Sequence, residues 1–296
     1  MQPLLDSLMN SLSPARLSFA LFLVCSLLIP RAGRADDLLM NSKIDSHIKS
    51  LRSRGVLRGD EKTAWIVYDF TAGREVASIN SSSMLQAASM IKPFLALAFF
   101  HEVEAGRLSY TDTAKRHMEL MIQKSNNDST NWVMRQTGGP ALTEAILKRN
   151  YPTLSQQMSI VEYIPEGGKT YRNQGSAGDY GRFLHELWYR RLPRADEMLR
   201  VMGLPGNDRL FTKVRSIPTG TRVYNKTGST AMCCGDMGIL VAKGRDGKSY
   251  PYAVIGIIES SRRNNSNYSS WISSRADVIR GVSNVVYLEM KKRYPL

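Results

Sequence analysis

Apolar and polar positions follow patterns that divide most of the chain into helices and strands. Near-helical spacing of Leu39, Ile44, Ile48 and Leu51 predicts an amphipathic helix that stops at Gly55. The stretches TAWIVYDF and REVASIN flank the turn TAGR and predict a β-hairpin. A helix and a hairpin are therefore expected before the middle of the chain.

The middle of the chain, from about Ser89 to Arg200, is predicted to be helix-rich, and strands return only after it. Three apolar runs, TRVYNKTGSTAM, GDMGILVAK and SYPYAVIGIIES, predict strands, and the turn GRDG joins the last two. A final helix is predicted from about Ser270 to Lys292.

These elements predict an α+β fold. The most economical assembly is one five-stranded antiparallel sheet flanked by helices, with a helical block inserted between strands two and three. We expect the terminal helices to cover one face of the sheet and the helical block to cover the other. No internal repeat or Pro/Gly-rich linker divides the chain, so we interpret residues 36–296 as one domain.

Residues 1–35 differ from the rest and are predicted to be a signal peptide. Arg16 precedes the apolar run LSFALFLVCSLLIP, and the small residues Gly33 and Ala35 stand at positions that a signal peptidase favours. Cleavage after Ala35 would export the protein to the periplasm or the extracellular space. The alternative is a retained anchor, but the run is shorter than the roughly 20 residues that a membrane span needs, so we expect no stable span after cleavage.

Charge narrows the choice of partners. The chain has a formal net charge of +14, and residues 1–35 contribute three arginines and one aspartate, so the chain after Ala35 carries +12. Such a charge favours anionic surroundings, for which anionic cell-envelope polymers are the simplest partner of an exported protein. We find no nucleic-acid-binding motif, and therefore expect no nucleic acid partner.

The cysteines and histidines predict neither a disulfide bond nor a metal site. Cys233 and Cys234 are the only cysteines after Ala35, and neighbours could pair only through a strained vicinal bridge. We expect two half-buried strand residues instead, with the bridge as the alternative. The four histidines have no metal-ligand spacing, and no cofactor motif is present, so we predict neither a metal nor a cofactor.

The stretch AASMIKPFLALAFF is the first candidate for chemistry. Its apolar spacing predicts a helix that is buried nearly all round, and Pro93 is tolerated only in the first turn, so Ser89 lies at the helix entrance. Lys92, three residues on, lies on the same face within reach of the Ser89 hydroxyl. Burial lowers the pKa of such a lysine toward that of a useful base, which would activate the serine. Spacing alone is not specific, because Ser46 and Lys49 repeat it on the first helix.

Two further sequence stretches support a catalytic site at Ser89. QKSNNDST places Ser125 and Asn127 in a loop between two helices, where Asp128 or Ser129 can cap the second helix, and a capping loop is the alternative interpretation. YNKTGSTAM places a lysine within a strand that is predicted to be buried; an edge-strand lysine that guards against aggregation is the alternative. Gly228 removes a side chain where the backbone of a ligand could approach.

Taken in order, these motifs resemble those of the penicillin-recognising serine hydrolases. Ser89-Met-Ile-Lys92, Ser125-Asn-Asn127 and Lys226-Thr-Gly228 match S-x-x-K, S-x-N and K-T-G. Within that superfamily the chain is most similar to the class A β-lactamase catalytic domain, over about residues 37–296, and the predicted order of strands agrees.

The resemblance implies a role for each matching residue. Ser89 would be the nucleophile that forms an acyl-enzyme, and Lys92 the base that activates it. Ser125 would pass a proton to the leaving nitrogen, and Asn127 would hold Lys92 and the substrate amide.

The third motif would bind the substrate. Lys226 would supply positive charge for its carboxylate and help to keep Lys92 neutral, and Thr227 would bond the carboxylate beside Gly228. The backbone amides of Ser89 and Ser229 would form the oxyanion hole.

Several features depart from the class A pattern. Ser125 follows Ser89 by only 36 residues, so a loop that walls the cleft is expected to be short. Ser-Asn-Asn replaces the usual Ser-Asp-Asn, which leans toward penicillin-binding proteins. Glu162 is the first candidate and Glu166 the second for the carboxylate that activates a deacylating water, but neither precedes the usual Leu-Asn pair, and both could be ordinary solvated carboxylates.

We therefore expect an exported serine hydrolase that acts on amide bonds of β-lactams through Ser89. A penicillin-binding D,D-peptidase that acts on peptidoglycan peptides, or an esterase-like relative, is the alternative with the same fold. A non-catalytic basic module that binds the cell envelope is the third interpretation.

Overall fold

The computed structural model describes residues 32–165, 167 and 172–296. The helices among these residues are α1 (Ala32–Ser53), α2 (Lys92–Glu104), α3 (Asp112–Gln123), α4 (Asn127–Gln136), α5 (Pro140–Asn150), α6 (Ala177–Trp188), α7 (Ala195–Met202) and α8 (Tyr268–Arg293). The strands are β1 (Glu61–Asp69), β2 (Arg74–Ile79), β3 (Leu85–Gln86), β4 (Gln174–Gly175), β5 (Arg222–Ser229), β6 (Cys233–Lys243) and β7 (Ser249–Ser260).

The main sheet has five strands in the order β2-β1-β7-β6-β5, and every neighbouring pair is antiparallel. The predicted α+β fold is therefore confirmed, including the helical block between the second and third strands of this sheet. The order places β5, which carries the third motif, at an edge. A second sheet pairs β3 with β4. The sequence pattern did not predict it, because strands of two residues are too short to show alternation.

Each face of the sheet is covered by a separate apolar core. On one face α1 and α8 pack against residues such as Trp65 and Leu240, and on the other the helical block packs against Ile66 and Ile239. Neighbouring residues point to opposite faces because side chains alternate along a strand. The expected division between terminal helices and helical block is confirmed.

Two details correct the predictions, and one alternative is excluded. Leu39 is exposed, and Met40 takes its place in the buried stripe, because positions 40, 44, 48 and 51 share one helix face while position 39 is turned about 100° away. Cys233 and Cys234 are fully buried rather than half-buried, because β6 is an inner strand with both faces covered. Both are free thiols, so they form no vicinal bridge.

The predicted signal peptide lies mostly outside the described residues. Residues 1–31 are not among them, and the predicted cleavage point after Ala35 falls within the first turn of α1. No helix in the described part of the chain is long and apolar enough to cross a membrane.

Candidate active site

Ser89 and Lys92 lie where a short 3-10 helix, Ala88–Ile91, runs into α2. Pro93 has no N–H to offer the Ser89 carbonyl, and the backbone N–H of Lys92 donates to that carbonyl instead. Ser89 is half-buried, whereas the Lys92 side chain is fully buried. The entrance position predicted for Ser89 is the one observed.

Two residues near this turn have backbone conformations that are rare outside glycine. Ala88 has φ 44° and Ser125 has φ 55°, both in the left-handed region. Each such conformation costs about 1–3 kcal/mol and persists only where the surrounding structure holds it. The Ala87 N–H, which donates to Asn173 O at 2.9 Å, is one such restraint. Strained residues of this kind cluster at active sites, which supports a functional role for the two turns.

The Lys92 amine is directed at the second motif. Its Nζ contacts Ser125 O at 2.6 Å, Ser125 Oγ at 3.1 Å and Asn127 Oδ1 at 3.1 Å. Sequence spacing predicted reach to the Ser89 hydroxyl, but the hydrogen bonds of Lys92 among the described residues go to Ser125 and Asn127.

The loop between α3 and α4 places Ser125 and Asn127 beside Lys92. Asn126 caps α4, since its Oδ1 accepts the Ser129 N–H at 2.7 Å. The predicted cap, Asp128 or Ser129, is therefore wrong. Capping by Asn126 makes Asn127 the first residue of the helix, where its side chain reaches Lys92.

Lys226 approaches the same serine from the sheet. Its Nζ donates to Ser125 Oγ at 3.0 Å and to Thr227 O at 3.1 Å, and its side chain is buried. The Ser125 hydroxyl thus lies between two lysine amines. Three predicted site residues from three separate motifs, Lys92, Ser125 and Lys226, meet at one oxygen.

Burial separates the protonation states of the two lysines. Burial, together with the positive charge of Lys226, lowers the pKa of Lys92 to about 6. Burial lowers the pKa of Lys226 to about 8, with the negative charge of Asp236 opposing that shift and Arg209 adding to it. Near pH 7 Lys92 is therefore mostly neutral while Lys226 is mostly charged.

These protonation states fit the hydrogen bonds that Lys92 and Ser125 make. A neutral Lys92 amine has two N–H donors for the oxygens Ser125 O and Asn127 Oδ1, and one lone pair that can accept the Ser125 hydroxyl proton. The Ser125 oxygen in turn accepts from charged Lys226. The arrangement can carry a proton between Lys92 and a group bound near Ser125.

The third motif packs directly against the turn that carries Ser89. A Cβ on Gly228 would lie 3.0 Å from Met90 Cγ and 3.1 Å from both Ala88 Cβ and Met90 N. The missing side chain therefore makes room for the protein's own turn, whereas the sequence suggested room for a ligand. Thr227 is half-buried next to it on the edge strand.

Arg209, Asn225 and Asp236 belong to the same region and were missed by sequence analysis. Arg209 donates to Ser229 Oγ at 2.5 Å, and Asn225 Nδ2 donates to Asp236 Oδ1 at 2.9 Å. A charged residue inside the apolar run GDMGILVAK was a usable signal for Asp236. The loop around Arg209 carries no comparable signal.

Glu162 is occupied by its own loop. Its Oε1 accepts the Arg172 N–H at 3.1 Å, and its backbone is bonded to the buried Asn173 side chain. The second candidate, Glu166, lies outside the described residues. Glu162 is therefore held against residues 172 and 173, at the other end of its loop, by hydrogen bonds that do not involve Lys92.

The same loop is fastened to α4 at Ile164. Asn131, one turn beyond Asn127, donates from Nδ2 to Ile164 O and accepts the Ile164 N–H at Oδ1, both at 2.8 Å. Ile164 is buried and apolar. The loop residue that is anchored one helical turn from the Lys92 cluster therefore carries no carboxylate.

The second Ser-x-x-Lys sequence is an ordinary surface feature. Lys49 lies on α1 and pairs with Asp45 at 2.7 Å, with 74% of its side chain exposed. Its charge is solvated, which is the opposite of the environment of Lys92. Burial therefore distinguishes the two serine–lysine pairs where spacing did not.

Fold and cluster together define a class: a serine hydrolase of β-lactamase type within the penicillin-recognising superfamily. A model of the β-lactamase enzyme family matches residues 46–119 and 113–280. The match spans more than half of the chain, which belongs to this family. No curated protein matches the sequence.

Solved structures of the same fold agree with this assignment. A point mutant of PBP-A, determined as an acyl-enzyme complex with penicillin G, has a TM-score of 0.66 and 20% identity, over 85% of this chain and 97% of its own. An ancestral class A β-lactamase has a TM-score of 0.62 and 18% identity, over 82% of this chain and 98% of its own. A β-lactamase from Desulfarculus baarsii has a TM-score of 0.64 and 18% identity, over 85% of this chain and 97% of its own. At these identities the likeness establishes the fold alone.

Proposed function

We propose that this protein is an exported serine hydrolase that is acylated on Ser89 by the amide bond of a β-lactam. The observation that carries the proposal is the Ser125 hydroxyl, which lies 3.1 Å from the Lys92 amine and 3.0 Å from the Lys226 amine. A hydroxyl between a neutral and a charged amine is suited to moving a proton during acyl transfer.

Each side chain of the first two motifs has a defined role in the proposed acylation. Ser89 Oγ attacks the carbonyl carbon, and its proton passes to the neutral amine of Lys92, whose lone pair turns from Ser125 to Ser89 for this step. Lys92 returns a proton through Ser125 to the leaving nitrogen, the C–N bond breaks, and the acyl group stays on Ser89. Asn127 holds the Lys92 amine in position through its Oδ1.

The third motif binds the substrate carboxylate and helps to stabilise the oxyanion that forms during acylation. Lys226 attracts the carboxylate of the substrate, and Thr227 bonds it at the strand edge. The backbone N–H groups of Ser89 and Ser229 are the proposed oxyanion donors. The close approach of Gly228 to Met90 brings the strand that carries Ser229 against the turn that carries Ser89.

Deacylation separates a β-lactamase from its relatives. The Glu162 carboxylate is bonded to Arg172 N, and Ile164 occupies the position anchored by Asn131. An apolar side chain at this anchored position favours slow deacylation and makes a penicillin-binding D,D-peptidase, with peptidoglycan peptide as substrate, the second candidate function. The similarity of the fold to PBP-A is consistent with that candidate.

Export and the envelope partner rest on the sequence. The predicted signal peptide, residues 1–35, would deliver the domain to the periplasm or beyond. The +12 charge after Ala35 favours contact with anionic envelope polymers, where peptidoglycan is also found. A purely non-catalytic module is disfavoured, because it has no need of the buried lysine pair.

Intact-mass spectrometry tests the proposal. Protein beginning after Ala35 is mixed with a penicillin and sampled from seconds to hours. We expect an added mass that persists, that is absent from Ser89→Ala, and that is unchanged in Ser46→Ala, the matched control from the exposed pair on α1. An adduct retained by Ser89→Ala, or no adduct on the parent protein, would contradict the proposal. A transient adduct with consumption of the drug would make the protein an efficient β-lactamase and refute slow deacylation.

A further inference from the structure

Asp236 is a fully buried carboxylate that the steps above do not use. It lies on β6 directly opposite Thr227 of the third motif. Its Oδ2 accepts the backbone N–H of Arg209 at 2.6 Å, and its Oδ1 accepts from Asn225 Nδ2 at 2.9 Å. One carboxylate therefore holds both the residue before Lys226 and the loop that carries Arg209.

Arg209 extends this contact to the end of the motif. Its guanidinium is buried, and it donates to Gly228 O at 3.0 Å, to Ser229 Oγ at 2.5 Å and also to Gly235 O. Gly228 and Gly235 are paired in register between β5 and β6. Asp236 and Arg209 thus clamp the strand that carries the proposed oxyanion donor of Ser229.

Asp236 also supplies negative charge near Lys226. Within the described part of the chain, the Lys226 amine donates to two oxygens, Ser125 Oγ and Thr227 O, and both are uncharged. The charge of Asp236 raises the pKa of Lys226 against the effect of burial. Burial raises the pKa of Asp236 itself to about 6, while Arg209 and Asn225 lower it, so Asp236 is mostly ionised above that pH.

The titratable and charged groups around Asp236 come from every element packed on it. They are Arg209 and Asp208 in the loop before β5, Lys226 on β5, Cys234 on β6, and Arg280 on α8, which donates to Asp208 O.

We propose that Asp236 is a positioning residue, which holds the Lys226–Ser229 segment through Arg209 and Asn225 and keeps Lys226 positively charged for substrates that carry a carboxylate. The inference rests on the proposed function, because acylation of Ser89 is the reaction that it serves. Asp236 acts through its neighbours and touches no substrate.

Asp236→Asn tests the charge while conserving shape. Acylation rates are measured from pH 5 to 9.5 with a penicillin and with its methyl ester, and the Lys226 side chain is titrated by NMR. We expect the pKa of Lys226, and with it the midpoint of the activity loss at alkaline pH (the alkaline limb), to fall by about one unit, with about a fivefold loss of acylation rate at pH 8 that approaches tenfold by pH 9 for the penicillin. The ester, which lacks the carboxylate, should lose much less. Well below pH 6 the parent and the variant should converge, since Asp236 is then protonated in the parent as well.

Two variants separate charge from packing. Asp69→Asn removes another fully buried carboxylate, on β1, and should leave the alkaline limb unchanged. Asp236→Asn combined with Asn225→Asp moves the charge to the bonded neighbour and should restore the limb.

An unchanged Lys226 titration in Asp236→Asn, or an equal loss at every pH with both substrates, would overturn the inference. If Asp236→Asn does not fold, the smaller neutral variant Asp236→Ser should lower the pKa of Lys226 in the same way, and no fall would overturn the inference equally. Failure of the parent to be acylated would instead refute the proposed function, while the Lys226 titration would still test the role of Asp236.

Discussion

Replacing Lys92 with Met should abolish acylation and change how stability depends on pH. Lys92 is fully buried, and its pKa falls from 10.5 to about 6 on folding. Between those two values the unfolded chain binds a proton at Lys92 that the folded protein does not. Unfolding therefore takes up a proton, so Lys92 destabilises the fold at neutral pH and does so less as pH rises.

The size of this effect on the free energy of unfolding follows from the difference between the unfolded and folded pKa values of Lys92. Keeping Lys92 neutral costs about 5 kcal/mol at pH 7 relative to the protonated unfolded chain, and this cost falls by about 1.4 kcal/mol per pH unit. Lys92→Met removes the cost but leaves Ser125 O and Asn127 Oδ1 without a donor, at about 1–3 kcal/mol each. The net change at pH 7 is therefore small, whereas the pH dependence is distinctive.

Chemical denaturation of both proteins at several pH values measures the difference. From pH 6.5 to 7.5, a window in which Lys226 stays mostly protonated, the parent should gain about 1 kcal/mol of unfolding free energy relative to Lys92→Met. Lys43→Met, which removes an exposed lysine of α1, should track the parent throughout. Parallel curves for the parent and Lys92→Met would mean that Lys92 stays charged when buried, and the proposed base would be refuted.

Three further substitutions test other parts of the site. Ser125→Ala removes the hydroxyl between the two amines and should slow acylation by about 100-fold or more with an unchanged fold, as measured by stopped-flow and circular dichroism; a smaller effect would argue against the proton path. Glu162→Gln should leave the lifetime of the acyl-enzyme unchanged in a mass time course, because the loop residue that Asn131 anchors near the cluster is Ile164 and not Glu162. A longer lifetime would identify Glu162 as the deacylating base. Gly228→Ala places a Cβ 3.1 Å from the backbone nitrogen of Met90, so it should lower stability by about 1–3 kcal/mol and slow acylation; thermal melts that match the parent would contradict this packing.

Much of the fold was predictable because its signals are local. Apolar runs marked β5, β6 and β7, and the position of Pro93 marked the entrance of α2. The order of elements then left few ways to build one covered sheet. The error at Leu39 has the same origin, since spacing alone does not decide which of two adjacent apolar residues faces the core.

The candidate site was predictable only as far as its residue types. Ser89, Lys92, Ser125 and Lys226 could be named, but spacing did not show that the amine of Lys92 turns to Ser125, 33 positions away. Deep burial also distinguished Lys92 from Lys49, although both follow a serine by three residues.

By itself, the sequence determined the elements, the fold class and the three motifs, because helix and strand periodicity and turn chemistry act between near neighbours. Only the tertiary structure decided that Ser125 lies between two lysines, that Asp236 and Arg209 clamp the third motif, and that Ile164 is anchored beside the cluster. These pairings join residues from different strands, helices and loops. Their energies come from burial and charge in a shared interior, which no local pattern records.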